Sequence, residues 1–125
     1  MINQETITAM LLGHAVGDAL GVPVEFESRR ALRNDPVINM RGGGSWGQAA
    51  GTWSDDTSLT IAAMESITRL KKIDYNDVME NFLKWYERDA FTATGHRFDV
   101  GNTTRGAIVR FSRRLLTATK CGATE

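Results

Sequence analysis

Four stretches of this chain space their apolar residues at three- and four-residue intervals, and two long glycine-containing stretches separate the first from the second and the third from the fourth. That period is the helical one, so the chain is expected to fold as an all-α protein. The first helix is predicted from about Gln4 to Leu20, with Ile7, Met10, Leu11 and Ala15 as its apolar stripe. Gly13, Gly17 and Gly21 recur every four residues along it. Each costs about 1 kcal/mol relative to Ala in a helix interior. The expectation is therefore that another backbone approaches this face closely, or that a ligand needs room beside Asp18.

From Val22 to Trp53 periodicity is lost, and RGGGSWGQAAG (residues 41–51) holds too much glycine for a regular element, so a long loop is predicted. Ser54 is read as the N-cap of the second helix, with Asp55 and Asp56 in its first turn and Leu59, Ala63, Ile67 and Leu70 as its apolar face. Lys71 and Lys72 suit its negative C-terminal end. Asp74 caps the third helix, in which Val78, Phe82, Trp85 and Tyr86 form a core face. A second loop (residues 90–102) leads to a fourth helix capped by Asn102, packed through Ile108, Phe111 and Leu115, and stopped at Gly122.

Composition excludes several classes of function. Fifteen basic and fifteen acidic side chains cancel, which removes the broad positive field of a non-specific nucleic-acid binder. Arg110, Arg113 and Arg114 read as a solvated helix face, and the glycine loop lacks the Gly-Lys-Ser/Thr ending that cradles phosphates. Cys121 is the sole cysteine, so no intramolecular disulfide forms. Residues 1–21 hold an apolar stretch, but Glu5 precedes it and Asp18 lies within it. Neither a signal peptide nor a membrane span is expected, and the cytoplasm is the default location.

Chemistry concentrates in GTWSDDT, residues 51–57, where a hydroxyl and two adjacent carboxylates open a helix. These hard oxygen donors favour Mg²⁺, Mn²⁺ or Ca²⁺, since zinc would want His or Cys nearby. Successive helical residues point about 100° apart, so the two acids suit two neighbouring ions better than one. The same residues also make an ordinary capped helix start. Upstream, GHAVGDALGVPVEF (residues 13–26) contributes Asp18 and Glu25, and FDVGNTTRGA (residues 98–107) follows downstream. Asp18 alone reads as a helix acid that pairs with His14 or holds an adjoining loop.

Together and in this order, the three segments resemble the signature of ADP-ribosylglycohydrolases of the DraG type, over about Thr6 to Gly122. The resemblance implies a compact all-helical domain holding two divalent cations, Mg²⁺ or Mn²⁺. It implies that Ser54, Asp55 and Asp56 are metal ligands, Ser54 standing where the family often has Thr. Glu25, Asp55 and Asp56 would be the catalytic residues, Glu25 lying on a mobile loop and orienting or deprotonating the attacking water. Asp99, Gly101 and Asn102 would contact the substrate, an ADP-ribosylated group cleaved at its anomeric carbon.

Glu25, Asp55 and Asp56 bring fewer negative charges than two such ions bring positive ones. The Asp-rich C-terminal segment and the middle Asn-Gly and Met-Arg segment of the family do not occur in this sequence. One part of a site is therefore expected, completed by a longer product or a complementing C-terminal chain. Helices around Phe82 and Phe111 would then expose apolar faces and favour self-association. The alternative is a non-catalytic structural or binding form of the same fold, against which the retained Asp55 and Asp56 argue.

Overall fold

The computed structural model describes residues 3–113. Among them lie five α-helices: α1 (Gln4–Gly21), α2 (Arg29–Asn34), α3 (Asp55–Leu70), α4 (Tyr75–Arg88) and α5 (Asn102–Ser112). The described residues contain no strand, only an isolated bridge between Gly43 and Gln48. The all-α expectation holds. Contacts divide the chain into two units, Met1–Thr57 and Ser58–Glu125. Leu115, Gly122, Arg114 and Cys121 lie outside the described residues.

In the first unit, α1 starts where the sequence predicts, because the Asn3 side chain accepts from the Thr6 backbone N–H at 2.8 Å. Its apolar stripe is not a core face among the described residues: Ile7 and Met10 are exposed, and Leu11 and Ala15 half-buried. By length and apolar content Gln4–Val24 would suffice to cross a membrane. Asp18, inside that stretch, instead gathers four hydrogen bonds from residues of the same unit. Among the described residues the close approach expected at Gly13, Gly17 and Gly21 is absent, since a Cβ at each would meet nothing within 4 Å.

The long loop expected after α1 holds structure that the sequence reading missed. A 3-10 turn, Val22–Val24, continues α1 through buried Val22 and Pro23. The short α2 follows, with Ser28 accepting from the Ala31 N–H at 3.1 Å. Six residues are too few for an apolar period to register, so only the cap could have marked it.

In the second unit the core is Met79, Trp85 and Ile108, with Leu59, Phe82 and Phe111 packed against it. Phe82 and Phe111 are thus not the exposed faces expected from the sequence, because α4 and α5 supply each other's partners. On α3, Ser58, Ala62 and Ser66, four residues apart, are buried together with Thr57, while Ile67 is exposed. Small side chains let α4 come close: Asn81, itself buried, donates to the Ala62 carbonyl at 3.0 Å and to Glu65 at 2.6 Å. Arg69 pairs with Glu65 at 2.9 Å on the same face.

α4 begins as predicted, with Asp74 accepting from the Asn76 and Asp77 N–H groups. It ends at Asp89 in the left-handed region, and Asp89 then accepts from the Arg97 N–H at 2.9 Å. That bond returns the second loop onto α4 and sets the Arg97 guanidinium 4.5 Å from the Tyr86 ring centroid. α5 differs from expectation at its start. Gly101, not Asn102, is the N-cap, no side chain caps the helix, and Asn102 is its first residue, accepting from Arg105 at 3.3 Å.

Trp85 is 1% exposed, so Trp85→Ala is expected to destabilise the protein by about 4 kcal/mol in urea unfolding. Tyr75→Ala, at an exposed position, should change stability by no more than about 0.5 kcal/mol. The Arg69 and Asn81 hydrogen bonds hold the Glu65 carboxyl below its ordinary pKa, and the Asp77 backbone N–H and Lys72 do the same for Asp74. Both are depressed in the folded state, so their stabilisation is full above the unfolded value, about pH 4, and is lost as pH falls through the folded values. Thermal unfolding midpoints should be level between neutral and weakly acidic pH and drop below about pH 4, less steeply in Glu65→Gln.

Candidate functional site

The first unit places the SDD segment by a single carboxylate. Asp18, in the last turns of α1, accepts from the Ser54 N–H at 3.0 Å and the Ser54 hydroxyl at 2.6 Å. It also accepts from the Thr57 N–H at 3.0 Å and the Thr57 hydroxyl at 2.6 Å. Ser54 and Thr57 are buried. The first N–H groups of a helix lack partners within it. The Thr57 N–H, which a capping Ser54 would accept, goes to Asp18 instead, so α3 is capped in part from α1. Of the two roles open to Asp18, holding another segment is the one observed, across 36 and 39 residues.

The consequence is chemical. A hydroxyl that donates its one proton to Asp18 keeps its lone pairs for other partners, so the Ser54 Oγ is oriented as an acceptor or ligand toward the rest of its surroundings. Asp55 follows half-buried and Asp56 exposed, both in the first turn of α3. Their carboxylates and the Ser54 hydroxyl fit a hard divalent cation in donor type. They do not complete its shell: among the described residues no three His, Cys, Asp or Glu side chains are grouped to hold a metal. The Trp53 indole N–H, next in sequence, is buried with no acceptor among the described residues. Such a donor fits a hydroxyl or phosphate oxygen.

Glu25 terminates the 3-10 turn and is half-buried. Its carboxylate accepts from the Trp46 indole N–H, and its backbone carbonyl accepts from the Ser45 hydroxyl at 3.3 Å. The glycine-rich stretch is therefore folded back on Glu25. Gly43 donates to the Gln48 carbonyl at 2.8 Å and Gly47 to Gly44 at 3.2 Å, closing a tight turn around Ser45 and Trp46.

Asp99, Gly101 and Asn102 lie in the second unit, whereas Glu25, Ser54, Asp55 and Asp56 lie in the first. Asp99 adopts a left-handed backbone and is half-buried, and Gly101 and Asn102 are exposed at the start of α5. Two residues escaped the sequence reading. Thr57 lies inside the quoted motif and doubles the hydroxyl of Ser54. Trp46, a lone indole between glycines, is a side chain too large and too amphipathic to leave in a loop without a partner, and that was its one signal.

A family model described as ADP-ribosylglycohydrolase matches residues 2–124. The ADP-ribosylarginine hydrolase Tri1 of Serratia proteamaculans (strain 568) is 37% identical over 101 residues, 81% of this chain and 27% of that protein. The ADP-ribosyl-[dinitrogen reductase] glycohydrolase of Rhodospirillum rubrum is 35% identical over 102 residues, 80% of this chain and 32% of that protein. A solved structure titled ADP-ribosylglycohydrolase-related protein complex superposes with a TM-score of 0.65 at 34% identity, covering 82% of this chain and 31% of its own. The chain thus spans about a third or less of the length of each of these three relatives.

Removing the Asp18 carboxylate would strand four donors, each worth about 1.5–3 kcal/mol when bonded to a charged group and not fully additive. Asp18→Ala is expected to lower stability by about 3 kcal/mol or more in urea unfolding. Asp35→Ala, at an exposed acid, serves as the control and should change stability by less than about 1 kcal/mol.

Proposed function

Because the chain belongs to the ADP-ribosylglycohydrolase family, we propose that it carries the Glu25 and Ser54–Asp55–Asp56 part of a site that hydrolyses ADP-ribose from a modified protein. The observation that carries this reading is the Asp18 grip on Ser54 and Thr57, which holds the helix start bearing both acids. A helix end serving only as a cap would not need its hydroxyl protons turned inward to a second helix.

Ser54, Asp55 and Asp56 would hold divalent cations, Mg²⁺ or Mn²⁺, with further donors from outside the described residues. Such ions, when bound, supply fixed positive charge that orients the ribose hydroxyls. Glu25 is the general base. The oxygen of a water adds to the anomeric carbon, the bond from that carbon to the leaving nitrogen breaks, and Glu25 takes one water proton and returns it to the leaving nitrogen. The Trp53 indole N–H is placed in sequence to meet a substrate oxygen beside Ser54. Asp99, Gly101 and Asn102 are assigned to substrate contact on the family resemblance alone. ADP-ribosylarginine is the first substrate to test, since relatives carry that name.

Completed by a C-terminal segment that supplies the remaining donors, the chain is expected to release ADP-ribose from ADP-ribosylarginine only in Mg²⁺ or Mn²⁺, and Asp55→Ala combined with Asp56→Ala should cut release by at least about a hundredfold. Undiminished release by that double variant, or in excess chelator, overturns the proposal. Mn²⁺ titration followed by calorimetry separates the second reading: saturable binding that needs both aspartates, without any release, marks a non-catalytic binding form.

A further inference from the structure

We propose that Trp46 is the positioning residue for Glu25. This rests on the reading of Glu25 as the general base and adds what holds it. The segment after α1 has an unusual backbone: Phe26 takes φ 67°, a left-handed conformation that a bulky residue adopts only where its surroundings dictate it. Phe26 is also 77% exposed, so burial of its ring does not dictate that conformation. The bonds around Glu25 do. Glu27 N–H closes the turn on the Val24 carbonyl at 3.0 Å, Ser45 holds the Glu25 carbonyl, and Trp46 holds its carboxylate.

The partner loop is built to deliver the indole. Gly44 has φ 68°, and a Cβ there would lie 2.1 Å from the Pro23 carbonyl oxygen. The loop backbone thus rests directly on the 3-10 turn, and no side chain fits between them. From that contact, Trp46 two residues on reaches Glu25 across 21 residues of chain, with its ring tilted against Phe26 at a centroid distance of 6.3 Å. An indole N–H donates and never accepts, so it fixes one carboxylate oxygen without competing for the proton that the base must take. A base held by such a bond is preorganised and loses less freedom on reaching the reacting water.

Trp46→Phe keeps a ring against Phe26 and removes only the N–H donor. In the ¹⁵N-labelled chain the variant identifies the Trp46 indole resonance among those of the three tryptophans. Glu25→Ala should then speed exchange of the Trp46 indole proton by about tenfold or more while Trp53 and Trp85 stay unchanged. An unaltered Trp46 resonance and exchange rate in Glu25→Ala overturns the proposal. With ADP-ribosylarginine, Trp46→Phe should lower kcat about tenfold and leave KM within about twofold, and add no further loss in a Glu25→Ala background. Wild-type kcat in Trp46→Phe, with hydrolysis intact in the parent, overturns the positioning role and leaves the proposed function standing. A parent that hydrolyses nothing even when its C-terminal segment completes the site sinks the proposed function instead, and indole exchange alone then decides whether Trp46 holds Glu25.

Discussion

The Asp18 carboxylate is the interaction on which the first unit depends. It lies near the end of α1 and accepts two N–H and two O–H bonds from the chain entering α3. Hydrogen bonds to a carboxylate are stronger than neutral ones, and here they also meet the positive end of a helix dipole. The same carboxylate therefore closes the loop between α1 and α3 and sets the rotation of two hydroxyls. Structure and site chemistry share one cause at this point, because the proton that anchors Ser54 is the proton its oxygen no longer directs elsewhere.

Around Glu25 the same economy appears in backbone form. Glycine at position 44 allows the loop to lie on Pro23, and this contact carries Ser45 and Trp46 to the turn that presents Glu25. A loop without regular hydrogen-bond ladders thereby holds an acid in one place. In the second unit polar groups again do what apolar packing alone would not. Asn81 and Glu65 tie α4 to α3 where the facing α3 residues are small, while Trp85 and Ile108 supply the apolar core.

Much of the helical framework was legible. Asp74 caps α4 as expected, and the apolar period of α4 correctly marked Trp85 as core. The failures have physical reasons. α2 is too short for a period to show, and its Ser28 cap is one residue among many in a polar loop. Asn102 has the right chemistry for a cap, but the chain turns into α5 one residue earlier, at Gly101. The glycine spacing in α1 predicted a close neighbour that the described residues do not supply. On α3, Leu59 packs against the core as expected, but the fully buried face next to it holds Ser58, Ala62 and Ser66, which carry little apolar signal.

By itself the sequence determined the helical class, the kinds of donor available at residues 54–56, and, through three ordered motifs, the family. These follow from local period and residue chemistry, which survive in a linear string. Only the tertiary structure decided that Asp18 faces Ser54 and Thr57 rather than its own helix, and that Trp46 meets Glu25. Such pairs join residues 21 to 39 positions apart. Their meeting depends on how loops return to helices, and neither propensity nor spacing encodes that.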